Sequence, residues 1–255
     1  MFGVSVSADQ LVVMAMLIFS RMGACLMLMP GLSSARAFIQ VRLFSAIALS
    51  LIIFPLVEPR LQDIAAHMNL AGLVLAILSE LLIGALFGFL AQAFFWAVQF
   101  MANVIAMSIG YSGQPGISVI ESVPEAPLAN LVMLGALVIF FVTNMHLMLL
   151  RGLIASYDAI PVSLVVQPQA ALVDVVDTLS SVFLTGMHIA APFLIYAILV
   201  NFTIGLINKL TPTIPIYFIS MPFVIFGGLL LFFFLFPEIF YFFSDKLAIR
   251  IKEGL

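Results

Sequence analysis

Four ionisable side chains, Arg21, Glu80, His146 and His188, stand inside otherwise apolar stretches of this 255-residue chain. A charge at the centre of a bilayer costs about 2.5–3.5 kcal/mol on insertion scales, so such groups face protein or water. Two readings are open. Paired with one another, they would make a proton or substrate site near the membrane midplane. Read singly, Arg21 snorkels or pairs within an assembly, Glu80 sits near a helix end and the histidines hydrogen-bond across helices. The rarity of intramembrane charge sites favours the second. Neither histidine has a His, Cys or acidic residue at i+3 or i+4, and a zinc site needs three or four converging ligands. The chain has no GxSxG, no HExxH and no phosphate-cradling glycine loop ending in Lys-Ser or Lys-Thr. Its one cysteine, Cys25, lies in an apolar run and reads as packing. No catalytic residue, metal or cofactor is expected.

The elements that carry these residues follow from composition. With 64% hydrophobic and only 8% charged residues, the chain cannot cover a soluble surface and reads as an integral membrane protein. The N-terminus MFGVSVSADQ lacks the basic region of a cleaved signal peptide, so the first apolar segment is expected to stay. Apolar segments run over about 10–30, 38–57, 70–107, 128–150, 180–207 and 214–236. In lipid every backbone polar group must be satisfied within the structure, and the segments lack the alternation of barrel strands, so they read as helices of one domain spanning 1–255.

Segment 70–107 is too long for one perpendicular span, since 38 residues at about 1.5 Å each reach roughly 57 Å against a core of about 30 Å. It either projects or folds back. Crossing once, with the N-terminus outside, puts Arg36, Arg42 and Lys209 inside but Arg60, Arg151, Lys246, Arg250 and Lys252 outside. Crossing twice puts Arg36, Arg42, Arg151, Lys246, Arg250 and Lys252 inside, leaving only Arg60 and Lys209 outside. The positive-inside rule therefore favours two crossings and seven in all. Gly84 and Gly88 make a GxxxG step in the same segment, continued by the small residues Ala102, Ala106 and Gly110, which lets backbones approach closely. Gln92, Gln99 and Asn103 share one helical face that is too polar for lipid and is expected to meet protein or a water-filled path.

Residues 108–127, SIGYSGQPGISVIESVPEAP, interrupt the apolar text. Gly110, Gly113 and Gly116 permit tight turns while Pro115, Pro124 and Pro127 exclude a continuous helix, so this is a loop. Taken alone it reads as an external connector. Downstream, two apolar helices are joined through Asn208-Lys209-Leu210-Thr211-Pro212, with Pro212 and Pro215 fixing the turn of a helical hairpin.

Asn201, the run Gly205-Leu206-Ile207-Asn208-Lys209, Pro212, Pro222 and Gly227-Gly228 resemble the C-terminal half of the FliR family of flagellar export-gate proteins and their type III secretion counterparts, SctT. Lys209 stands where arginine is common and Thr213 where glutamine is frequent. Length and segment order agree over essentially the whole chain, while the specific text is confined to the hairpin and loop 108–127. The resemblance implies an all-α export-gate subunit without catalytic chemistry. About 1–179 would be a FliP-like part carrying the loop, and about 180–255 a FliQ-like hairpin with a basic tail. It further implies FliP-like and FliQ-like subunits as partners, FlhB-like and FlhA-like components attached to them, and export of unfolded proteins. It places the chain with membrane lipid in the bacterial inner membrane, at the flagellar basal body, with no nucleic acid involved.

The loop would then be a plug, with Ile109, Tyr111, Ile117, Val119 and Ile120 as its apolar bulk; Asn201, Gly205, Asn208, Lys209 and Pro212 would form the hairpin turn and a partner contact. Virulence secretion remains an alternative. A self-contained transporter should show paired ionisable groups and repeat symmetry, and the sequence displays neither. In such assemblies helices are lifted out of the bilayer plane, so a span count can assign crossings that do not exist. The resemblance puts the hairpin turn at the cytoplasmic entrance, against the charge count for Lys209. A Lys209→Cys variant, with Cys25 as the sole native thiol, is expected to resist an impermeant maleimide applied to intact cells; strong labelling from the periplasm rejects the placement.

Overall fold

The structure, a computed structural model, describes residues 7–33, 38–67, 69–111, 116–117, 124–162 and 168–253. Seven helices occur among them: α1 Ala8–Leu28, α2 Ile39–His67, α3 Leu70–Ser108, α4 Pro127–Val142, α5 Met145–Ala159, α6 Pro168–Leu210 and α7 Ile216–Glu253. Between α3 and α4, strands β1 (Gly116–Ile117) and β2 (Pro124–Glu125) pair antiparallel, with Gly116 opposite Glu125. The chain is an all-α integral membrane protein. Five helices are long and apolar enough to cross a bilayer, or six spans with α4 and α5 taken as one interrupted span.

Local sequence explains where the helices begin and end. Ser7 opens α1 with a capping box: its backbone N–H donates to Gln10 Oε1 at 3.0 Å and its hydroxyl accepts from the Gln10 N–H at 3.4 Å. Pro127 starts α4, where its missing N–H costs nothing. At the end of α3, Gly110 adopts φ +73°, and the N–H groups of Tyr111 and Gly110 donate to Ala106 O at 2.9 Å and Met107 O at 3.1 Å. This is a Schellman cap, which a residue with a side chain would strain. Thr211–Pro215 separates α6 from α7 as the proline-bearing turn requires.

Two expectations need correction. Segment 70–107 does not fold back; α3 is one uninterrupted 39-residue helix, and without a second crossing there the seven-span topology falls. The reason is local, since the stretch holds no proline and no paired glycines where a helix could turn. Conversely, 128–150 is not one helix. It breaks at Thr143–Asn144, where Asn144 takes the left-handed conformation, φ 59° and ψ 24°, which asparagine tolerates better than most residues.

The chain forms two compact units, one of residues 1–92, 144–178 and 248–255, the other of 93–143 and 179–247. In the first, α1 buries Met14, Leu17, Ile18, Met22, Cys25 and Leu26, and α3 closes on it through glycines. A Cβ on Gly84 would fall on the Arg21 carbonyl, and one on Gly88 would lie 2.6 Å from the Cys25 carbonyl oxygen. In the second, Phe95 packs edge-on against both Phe140 and Phe243, each with centroids 5.5 Å apart. Gly135 admits the Phe240 ring, and Gly228 admits Ile109.

Gly84→Ala is expected to destabilise the protein by about 1–3 kcal/mol through overpacking. Gly23→Ala, whose nearest neighbour outside α1's own backbone would be 3.8 Å away, is expected to be neutral or stabilising by up to about 1 kcal/mol. Thermal melting in detergent distinguishes them; equal midpoints would overturn the close approach of α1 and α3.

Candidate functional site

Arg21 on α1 and Glu80 on α3 are both 0% exposed and form an ion pair inside the first unit. The contact is bidentate: Arg21 Nε donates to Glu80 Oε2 at 2.6 Å and Nη2 to Oε1 at 2.7 Å. Nη1 donates to Ser156 Oγ at 2.9 Å, and Nη2 also donates to the Ile160 carbonyl at 3.2 Å. The Ser156 hydroxyl can accept because its own proton goes to Leu153 O at 2.6 Å. The Tyr157 ring lies against the guanidinium, with Arg21 Cζ 3.9 Å from its centroid, adding a cation–π contact. Four of the five guanidinium N–H groups thus have acceptors, which is the condition for a buried charge pair to be tolerated.

This arrangement overturns the single-residue readings of Arg21 and Glu80. Arg21 neither snorkels nor waits for another subunit, and Glu80 lies in the interior of α3 rather than near its end. A paired ionisable group does exist, contrary to the expectation from the sequence. It does not make a substrate site, because it is sealed from solvent and four of the five guanidinium donors are already committed. Ser156 and Tyr157 had no signal in the sequence; they lie 135 and 136 positions from Arg21 and gain meaning only once α5 packs beside it. A second pair, Arg60 with Asp158 at 3.0 Å, joins α2 to α5 at the surface of the same unit.

The other singled-out residues are more dispersed. Gln92 is buried and its Oε1 accepts from Ser33 Oγ at 3.2 Å, whereas Asn103 Nδ2 turns back to the Gln99 carbonyl at 2.9 Å. In the second unit Ile109 is fully buried against Gly228, and Tyr111 is exposed. Gly116 and Ile117 take part in the strand pair; Gly113, Pro115, Val119 and Ile120 lie outside the described residues. Asn201 lines a cavity of about 300 Å³ together with Ser108, Gly110, Tyr217 and Ser220, at the base of the loop. Gly205 has open space around it, and Asn208, Lys209 and Pro212 are exposed at the hairpin turn. The hairpin itself is tied by Tyr196, whose hydroxyl donates to Val224 O at 2.7 Å while its oxygen occupies the space left by Gly227. His146 and His188 are not brought to a metal cluster: among the described residues no three His, Cys, Asp or Glu side chains converge.

Removing one member of the buried pair leaves an uncompensated charge, so Arg21→Ala or Glu80→Ala is expected to cost about 3–5 kcal/mol. The double variant Arg21→Met/Glu80→Leu is expected to recover most of that loss. Melting temperatures of the four proteins decide it; additive losses in the double variant would show that the two charges are not coupled.

Residues 12–248 match the family described as bacterial export proteins, family 1. The chain is 29% identical to the flagellar biosynthetic protein FliR of Caulobacter vibrioides over 222 residues, 86% of each chain. It is 27% identical to FliR of Escherichia coli K12 over 150 residues, 59% of this chain and 58% of the relative. Its identity to Yop proteins translocation protein T of Yersinia pestis is 26% over 211 residues, 81% and 79% of the two chains. Because the family match runs from within α1 to within α7, this chain belongs to the bacterial export proteins of family 1, the FliR/SctT family.

Proposed function

We propose that this chain is a structural and gating subunit of the flagellar type III protein-export gate, in the bacterial inner membrane at the flagellar basal body. The observation that carries the reading is the family match over 12–248, joined by the 29% identity to a flagellar relative over 86% of the chain. Its partners are FliP-like and FliQ-like subunits, with FlhB-like and FlhA-like components attached, and unfolded flagellar proteins are its cargo. It performs no chemistry on them.

Helix dimensions support a role inside an assembly. At about 1.5 Å per residue, α3, α6 and α7 reach roughly 57–65 Å, about twice a hydrocarbon core of about 30 Å. Only 11% of the most apolar window is buried in each of α6 and α7, and Phe218, Phe223, Phe226, Phe233 and Phe234 are each 68–76% exposed. Lipid can cover half of such a surface by length; neighbouring subunits cover the rest. In this reading about 180–255 is a FliQ-like hairpin whose turn, with Asn201, Gly205, Asn208, Lys209 and Pro212, contacts partners. The preceding part is FliP-like, with Gly84, Gly88, Gln92, Gln99 and Asn103 as its packing face.

The loop after α3 is the plug of the closed channel. Its base is held by the Schellman cap at Gly110 and by Ile109 in the groove at Gly228, and the β1–β2 ladder keeps part of it extended. Apolar side chains at a constriction stop ion flow by excluding water. Service in a virulence secretion system is the second reading, favoured by the 26% identity to the Yersinia translocation protein over 81% of the chain.

Expressed alone, the chain is expected to be degraded or aggregated; co-expressed with FliP-like and FliQ-like subunits it is expected to accumulate and co-purify. Deleting Gly110–Ile120 is expected to leave that complex intact and make the membrane leaky to ions. A long-lived monomer in mild detergent would overturn the assembly reading, and unchanged conductance in a correctly assembled deletion would overturn the plug.

A further inference from the structure

Within the hairpin unit, a cavity of about 230 Å³ opens between α6 and α7, lined by His188, Ile189, Pro192, Leu235, Glu238 and Phe242. Among its lining side chains the ionised carboxylate of Glu238 is acceptor-only. Among the described residues Glu238 takes no part in the ion pairs Arg21–Glu80 and Arg60–Asp158. Pro192, inside α6, has no N–H, so the His188 carbonyl one turn earlier loses its ordinary helical donor. Imidazole completes the set and can accept or donate. The nearest cation in sequence on α7, Lys246, stands 5.4 Å from the Phe242 ring centroid and is in neither ion pair.

His188 lies 22 residues before the end of α6 and Glu238 lies 22 residues after the start of α7, so both are about 33 Å along their helices from the turn. They therefore meet at one level, and both are exposed there, amid Ile189, Leu235 and Phe242. Both residues fall within stretches long and apolar enough to cross a bilayer, Val175–Leu210 and Ile216–Ile249, where lipid tails cannot satisfy the Glu238 carboxylate. The chemistry that does is a donor-only cation on an apolar stem, and a planar guanidinium, which can grip both carboxylate oxygens at once, suits it better than an ammonium does.

We propose that this cavity is a docking site for an arginine carried on an apolar helix of a neighbouring subunit, with Glu238 as its counter-ion and His188 as a second contact. The proposal rests on the export-gate assembly proposed above. Two measurements on the co-expressed complex test it. A photo-crosslinking residue at Glu238 is expected to capture a partner peptide containing an arginine within one helical turn of the crosslink. Glu238→Gln and Glu238→Arg are expected to lower co-purified partner at least tenfold in high-salt detergent wash, at unchanged amounts of this chain, with Glu238→Arg rescued by the reciprocal Arg→Glu change in the captured helix. If the unaltered chain co-purifies with its partners but Glu238→Gln retains them equally, or the crosslink goes to lipid or to a peptide without arginine, the docking site is wrong and the assembly stands. If the unaltered chain binds no partner, both fail.

Discussion

The Arg21–Glu80 pair is the constraint around which the first compact unit is arranged. Neither charge can be left alone in an apolar interior, and a bidentate contact at 2.6 and 2.7 Å requires α1 and α3 to meet at one height and rotation. Gly84, one turn after Glu80, makes that approach possible by leaving room for the carbonyl of Arg21 itself. Ser156 and the Ile160 carbonyl take two further guanidinium hydrogens, which brings in α5. A polar centre of this kind constrains register more sharply than leucine-on-leucine contacts do, because a shifted register would break the bidentate contact and its neighbouring hydrogen bonds together.

The second unit is organised differently. Its helices are fixed by ring geometry and by glycines that admit a neighbour's side chain: Phe240 at Gly135, Tyr196 at Gly227 and Ile109 at Gly228. The Ile109 contact anchors the end of α3 where the glycine-rich loop departs. Around this well-packed centre the outer faces of α6 and α7 remain apolar and uncovered. The two faces of each helix therefore differ sharply, one packed against rings and the other left to whatever surrounds the chain.

Membership of the export family and the hairpin were legible in the text around Asn201–Gly228, because prolines, glycines and asparagine at fixed offsets carry local conformational information. The topology of 70–107 was not. Charge counting preferred two crossings, yet the uninterrupted helical propensity of that stretch prevails, since a turn in an apolar environment would leave backbone groups unsatisfied. The break at Asn144 was missed for the opposite reason: a single residue in the left-handed region stops a helix without any proline or glycine to announce it.

The sequence by itself determined composition, helical class, the loop and the hairpin turn, all of which depend on residues near one another along the chain. Only the tertiary structure decided which polar residues find each other. Arg21 and Glu80 are separated by 59 positions, and Arg21 and Ser156 by 135; no local pattern encodes such a meeting, and the same arginine read alone suggested snorkelling or an external partner. The pairing emerges from the packing of α1 against α3 and α5, where burial makes an unpaired charge so costly that the helices must present the two groups to one another.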